Sequence, residues 1–408
     1  MTAVATSPSP ERLAIALPIR PFLGCVFAID LLAMLVVIAF GSAYLINVLE
    51  APPSYPAYSL GVYGLVKLIT APIGGRFLDR APARVGVVIA FALNMTGLGF
   101  MLAWHAALGF IIGVAFLSGG IAFSWLVVFH VLGVATEPAT RARLTSVMAI
   151  VSAAATACGF AGGGLIGDAW QVAFSVGIVC ALAAGVLLYL VAAVPPVPHV
   201  LAHAHIDAST RLAPSKSEAP PPIPARLQAV AAANGLVHSA AIAGVGGIFG
   251  PFVLHTLGLT LLEGSILLLP AIGMGAVSMY FAGRHSRPGR RLRELALCYT
   301  VGAVTLFALA FVDSWYAFAI VGLGLGVAIG GATPLMGATI LDVSHSGQQK
   351  ATVLGWLFFA QGIGSVAGPV LVGIVISLFG VREAVGFLSA FDAGVVVLLL
   401  LSHRLQPL

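Results

Sequence analysis

Apolar runs of membrane-crossing length recur twelve times along this chain, in two groups of six. They lie near 22–48, 55–75, 85–104, 107–133, 144–167 and 170–194, and then near 227–254, 261–282, 294–312, 315–341, 351–379 and 383–402. An α-helix needs about 20 apolar residues to cross a hydrocarbon core of roughly 30 Å. Composition demands the same solvent. Of the 408 residues 60% are hydrophobic and 8% charged, whereas a soluble domain carries about a quarter charged residues. There is too little polar surface to cover a globule in water. The pattern predicts an all-α integral membrane protein of twelve transmembrane helices, and the 48 glycines suit membrane helices. The first run follows Arg12 and Arg20 and is too long for a cleavable signal, so it reads as a retained span.

The break between the groups, residues 195–224, is rich in Pro, Ser and Ala and cannot bury a core. It divides the chain into an N-terminal six-helix bundle (1–194), a cytoplasmic linker (195–224) and a C-terminal six-helix bundle (225–408). His199, His203 and His205 fall in the linker without acidic or thiol partners at helical spacing, so a solvated segment is expected there. The four cysteines, Cys25, Cys158, Cys180 and Cys298, all lie in or beside apolar runs. They are expected to be buried free thiols, because no two have the spacing of a metal or redox pair. No metal and no cofactor is expected.

Charge sets the orientation. With the N-terminus inside, 19 Lys and Arg residues distribute so that only Arg382 falls outside and Lys67 lies within a span. That satisfies the positive-inside rule and predicts a multi-pass protein with both termini cytoplasmic. The net charge of +5 is then a topology signal, and no nucleic-acid partner is needed to explain it.

The halves echo each other. "GGRFLDRAPAR" closes the second span, and "AGRHSRPGRR" closes its counterpart in the other half. Gly159, Gly163 and Gly167 step through the fifth span as Gly364 and Gly368 do through the eleventh, at an offset of about 205–208 residues. Internal repetition with a binding site at the repeat interface characterises secondary transporters.

On these features the chain resembles the major facilitator superfamily from about residue 20 to 402. The resemblance rests on the six-plus-six layout, on Gly75, Asp79, Arg80 and Arg84 between the second and third spans, and on the glycine-rich fifth and eleventh spans. It implies two pseudo-symmetric six-helix bundles and a conformational latch at Gly75, Asp79, Arg80 and Arg84 that favours the outward-facing state. Two departures stand out. Arg287 occupies the place where an acid would mirror Asp79, so the latch is expected to be one-sided. The fourth span also lacks the arginine that many proton-coupled drug exporters of this family carry there.

Charges at membrane depth cost at least ~2.5–3.5 kcal/mol each and call for a reason. Asp30 lies about 15 Å beyond Arg20 at ~1.5 Å per residue, and Lys67 about 13 Å before Arg76. The two share a depth on consecutive antiparallel spans. They form either a buried pair that locks two helices or a titratable pair that couples protonation to transport. The resemblance places the first helix at the cavity and the twelfth at the periphery, so Asp392 is expected to be structural. Asn234 and His238 are four apart, on one face of the seventh span. They serve packing or the cavity, as do Gln361 and Trp125.

The function that follows is secondary transport of a small organic solute by alternating access, with protons as coupling ion and export favoured over uptake. The alternative is uptake of an organic anion, monocarboxylate-like, with Lys67 as counter-charge. An intramembrane enzyme or a receptor is the reading from another class. The enzyme lacks a His–Glu–x–x–His, Ser/His or paired-Asp constellation, and the receptor needs neither repeat nor latch. The expected partners are the solute, protons and the bilayer. The expected setting is the plasma membrane, the inner membrane in a Gram-negative cell, and the expected state a monomer.

Overall fold

A computed structural model describes residues 18–51, 55–135, 138–166, 169–193, 225–287, 290–344 and 350–404. Every described element is helical, which is what lipid imposes on a chain with no water to satisfy backbone N–H and C=O groups. Helix α1 covers 19–48, interrupted by π-helical stretches at Ala33–Ala39 and Tyr44–Val48. The rest of the first half is α2 (Tyr55–Leu78), α3 (Ala83–Ala103), α4 (Ala107–Ala135), α5 (Pro138–Ile166) and α6 (Trp170–Val191). The second half holds α7 (Ala225–Pro251, continued by a π turn at Phe252–Thr256), α8 (Leu261–His285), α9 (Arg291–Leu309), α10 (Trp315–Ser344), α11 (Lys350–Leu378) and α12 (Val381–Arg404). Ten of these are long and apolar enough by themselves to cross a membrane; α2 and α12 carry Lys67 and Asp392.

All twelve expected spans are found, with ends shifted by a few residues. The largest shift is at α5, which starts at Pro138 rather than near 144 and so takes Arg141 and Arg143 into its first turns. The expected linker, with its histidines, lies outside the described residues. One expectation about the thiols fails: Cys25 and Cys180 are buried, but Cys158 is exposed. Lipid is as apolar as a core, so an apolar run cannot say which way a side chain faces. The exposed Val179, Leu190, Phe307, Ile320 and Phe379 make the same point on the outer surface.

Within the first half α1 packs on α5 and α6, α3 on α4 and α6, and α2 on α4. The second half repeats this: α7 on α11 and α12, α9 on α10 and α12, α8 on α10. The repeat is visible residue by residue. Gly159 and Gly163 of α5 lie against Met34 and Ala39 of α1, and Gly364 and Gly368 of α11 lie against Leu236 and Ala240 of α7. The π turns beginning at Tyr44 and Phe252 end the equivalent helices, 208 residues apart.

The halves meet through α2 on α11 and α5 on α8. The first contact is a seam of small residues. A Cβ on Gly64 would sit 2.7 Å from the Ser365 backbone, one on Gly362 2.6 Å from the Leu68 Cα, and one on Gly355 2.7 Å from the Ala71 carbonyl oxygen. Without side chains at these positions the backbones touch, which is how membrane helices gain packing where burial from water supplies no drive.

Candidate functional site

A cavity of about 190 Å³ lies between the halves. Its walls come from α2 (Lys67), α4 (Trp125, Phe129), α5 (Thr145, Met148, Ser152), α10 (Thr333, Met336) and α11 (Phe358, Gln361). It runs from mid-bundle towards the end where α1 begins and α12 finishes. Contacts between the halves bound it on both sides. Towards the far end Phe160 meets Phe249 at 5.4 Å, and Leu262 lies against Gly164. Towards the termini Phe129 meets Phe358 at 5.3 Å, Ser146 donates to the Met279 carbonyl, and Arg76 lies over the Trp356 ring at 5.8 Å.

Lys67 is the one ionisable side chain among the described residues lining the cavity. It interacts electrostatically with Asp30 of α1 on one side and His238 of α7 on the other. Asp30 is 5% exposed and sits behind the wall, interacting with the side chains of Ser152 and Trp125; its Oδ2 has no protein partner. His238, 4% exposed, sits behind the opposite wall with Nε2 3.4 Å from the Thr333 hydroxyl. Asp30 and His238 are 208 residues apart, and so are their wall partners Trp125 and Thr333. Repetition of the fold thus puts an acid and an imidazole at equivalent places, with the lysine between them. Asp30 and Lys67 make no contact ion pair; among the described residues that geometry is seen at Arg382–Asp313, on the surface.

The structure brings Lys67, Trp125 and Gln361 together as cavity walls, with the Gln361 amide donating to the Met336 sulfur at 3.8 Å. Asn234 is fully covered one turn before His238, and neither polar atom of its amide has a protein partner. The residues expected to form the latch lie apart from the cavity. Asp79 and Arg80 are exposed in the turn after α2, where the Asp79 N–H is bonded to the Gly75 carbonyl. Arg84 lies over Tyr189 of its own half at 5.1 Å, while Gly75 backs onto Gly355 of α11. Sequence reasoning missed Ser152, Thr333, Met148 and Met336. The 208-residue offset applied to Asp30 and Trp125 finds His238 and Thr333; nothing marks the serine and the methionines.

No group of three or more metal-ligating side chains occurs among the described residues. What the arrangement can do is bind a solute at a charged, aromatic-lined place between the two halves. No curated protein matches the sequence significantly. The human organic anion transporter MFSD10 has a similar structure, with a TM-score of 0.71 at 14% identity over 96% of this chain and 99% of that one, a likeness that speaks for the fold. The sequence model of the Major Facilitator Superfamily matches residues 22–299, well over half the chain, and the protein belongs to that family of membrane transporters.

Proposed function

We propose that the protein is a proton-coupled exporter of a small organic solute, working by alternating access between the 1–194 and 225–408 halves. The observation that carries this reading is the inter-half cavity with Lys67 at mid-depth, flanked by Asp30 and His238. Asp30 takes the coupling proton. A buried carboxylate one wall removed from the solute can exchange charge with the site without touching the cargo. The cavity extends towards the end where α1 begins and α12 finishes; the basic loops there favour a cytoplasmic setting at a plasma or inner membrane, which makes this the loading side for export. The turn from Gly75 through Asp79 and Arg80 to Arg84 acts as the latch on that side.

Size narrows the solute. An apolar cavity of ~150 Å³ admits benzene, so about 190 Å³ suits a molecule modestly larger. Counterflow in proteoliposomes, with an imposed pH gradient and a panel of such solutes, tests the reading. Solute uptake into inside-out vesicles that acidity inside the vesicle drives, and that Asp30→Asn abolishes, is expected. Uptake indifferent to the gradient would overturn coupling.

A second reading has one observation in its favour. Among the described lining residues Lys67 is the one cation, in a wall of Trp125, Phe129, Phe358 and two methionines, which suits an amphipathic monoanion. On this reading the cargo is an organic anion moving inwards. Lys67→Met should then weaken binding of anionic solutes about 10- to 100-fold, the worth of a hydrogen bond to a charged group, and leave neutral analogues unaffected. Equal losses for both would remove the counter-charge role.

A further inference from the structure

A second, smaller cavity lies inside the C-terminal half, apart from the inter-half site. Its volume is about 20 Å³, and α7, α9, α10 and α12 line it. Most of its wall is apolar, with Ala328, Ile329 and Ala332 of α10 on one side. The exceptions are Asp392 of α12, Tyr299 and Cys298 of α9, and His238 of α7. Asp392 and Tyr299 are each 4% exposed, and both the Asp392 Oδ1 and the Tyr299 hydroxyl lack a protein partner. Such groups cost free energy in an apolar surrounding unless something answers them. A cavity of this size admits one water, which needs about 10–15 Å³ and two to four polar partners.

The site is built rather than incidental. Ser389, one turn before Asp392, donates to the Ala303 carbonyl at 2.8 Å and fixes α12 on α9. Gly302 leaves room for the carboxyl, since a Cβ there would lie 3.1 Å from Asp392 Oδ2. The His238 ring meets the Tyr299 ring edge-to-face at 6.2 Å, and its Nε2 reaches Thr333, which lines the main cavity. Cys298 also faces the site, with Glu294 in electrostatic reach of its thiol, and Lys67 acts on His238 from across the main cavity.

We infer that Asp392, Tyr299 and His238 form a hydrated proton-holding site within the C-terminal half, distinct from Asp30 and connected to the transport cavity through Thr333. The exchange is a simple one. The Asp392 carboxyl passes its proton through the water to the imidazole, leaving a carboxylate and an imidazolium, and the reverse step restores both. The Thr333 hydroxyl donates to the Ile329 carbonyl at 2.7 Å, so His238 Nε2–H donates to the Thr333 oxygen and Nδ1 takes the incoming proton; the charge of the imidazolium strengthens that bond, so the occupancy of this site reaches the cavity wall. The inference does not depend on what the protein carries or in which direction.

Infrared difference spectroscopy of the full-length reconstituted protein, titrated between about pH 5 and pH 8 in water and in D2O, tests it without any solute. A protonated-carboxyl band that shifts in D2O and disappears in Asp392→Asn is expected, and it should persist in Asp30→Asn. His238→Gln and Tyr299→Phe should each move its midpoint by about one pH unit, the scale of coupling between interacting sites. If Asp392→Asn does not fold, Asp30→Asn isolates the band and the two neighbouring variants still report on it. A carboxyl that does not titrate, or a midpoint that neither neighbour moves, would overturn the site.

Discussion

The two halves share one architecture but are secured differently at the ends of their equivalent helices. The π turn of α1 brings Tyr44 into an aromatic cluster with Phe40, Phe110, Trp170 and Phe174 at ring separations of 5.3–6.5 Å, and its hydroxyl lies 3.3 Å from His105. The π turn of α7 brings Phe252 to a stack on Phe318 at 5.9 Å, within a smaller aliphatic cluster. A π turn places one extra residue in the helix and often marks a functional site. In the first half that irregularity is clamped by rings from three helices; in the second it is held by one ring pair and aliphatic packing. The comparison implies that this end of the second half is the easier to move.

The largest effect should come from the clamp itself. Aromatic pairs contribute ~0.5–1.5 kcal/mol each beyond their burial, without strict additivity. Tyr44→Leu keeps an apolar side chain but loses four ring contacts, so about 3 kcal/mol of stability should go. Phe252→Leu loses one and should cost about 1 kcal/mol. Thermal unfolding of the purified variants in one detergent measures both. Equal drops would mean that the two ends are held alike and that the asymmetry has no energetic content.

The next effect sharpens the same comparison at the core. Asp30 and His238 occupy equivalent positions, yet only the acid can carry a coupled proton on its own in the reading proposed above. A single coupled proton at about 100 mV supports roughly 50-fold accumulation, corresponding to ~2.3 kcal/mol. Asp30→Asn, a mimic of the protonated form, should lose that accumulation while still exchanging solute down a gradient. His238→Gln should lower accumulation and change its pH profile without abolishing it. Full accumulation by Asp30→Asn sinks the coupling role. The double variant Asp30→Asn with Lys67→Met separates coupling from a plain charge pair, since recovery of stability without recovery of accumulation is expected only if the acid does the coupling.

Much of this was legible in the sequence, and the rest was hidden for physical reasons. Span count follows from lipid thickness, so all twelve helices could be placed from apolar runs alone. Lys67, Asp30 and His238 stood out because polar groups are rare at membrane depth and each needs a cause. Facing was not legible. Cys158 sits in the same kind of apolar run as Cys25 and yet is exposed, because lipid and core select the same side chains. Ser152 and Thr333 look like ordinary small residues of membrane helices; only contact with Asp30 and His238 gives them a place at the site. Asp392 was expected to be structural from its helix number, and the mostly apolar pocket that it shares with Tyr299 and His238 could not be read from that.

The smallest effect concerns the loops that close the second helix of each half. Arg76 and Arg284 are equivalent, 208 residues apart, yet their partners differ. Arg76 lies over Trp356 of α11 and so bridges the halves, whereas Arg284 bonds the Tyr280 hydroxyl of its own helix at 2.8 Å. A half-exposed cation–π contact is worth ~0.5–1 kcal/mol, enough to change the ratio of two conformations about two- to fivefold. Trp356→Leu removes the ring and keeps the bulk, so it should shift the protein towards states open at this end. Tyr280→Phe removes the hydrogen-bond partner of Arg284 but breaks nothing between the halves. Spin-label distances across the α2–α11 and α5–α8 ends read the populations directly. A shift in Trp356→Leu with none in Tyr280→Phe is the expected pattern. Asp79→Asn, in the same turn as Arg76, should add to that shift if the latch operates there, because both act on one gate. If instead both tryptophan and tyrosine variants leave the distances unchanged, the basic turns serve orientation in the membrane alone, and the bias between states resides in the glycine seam of α2 and α11.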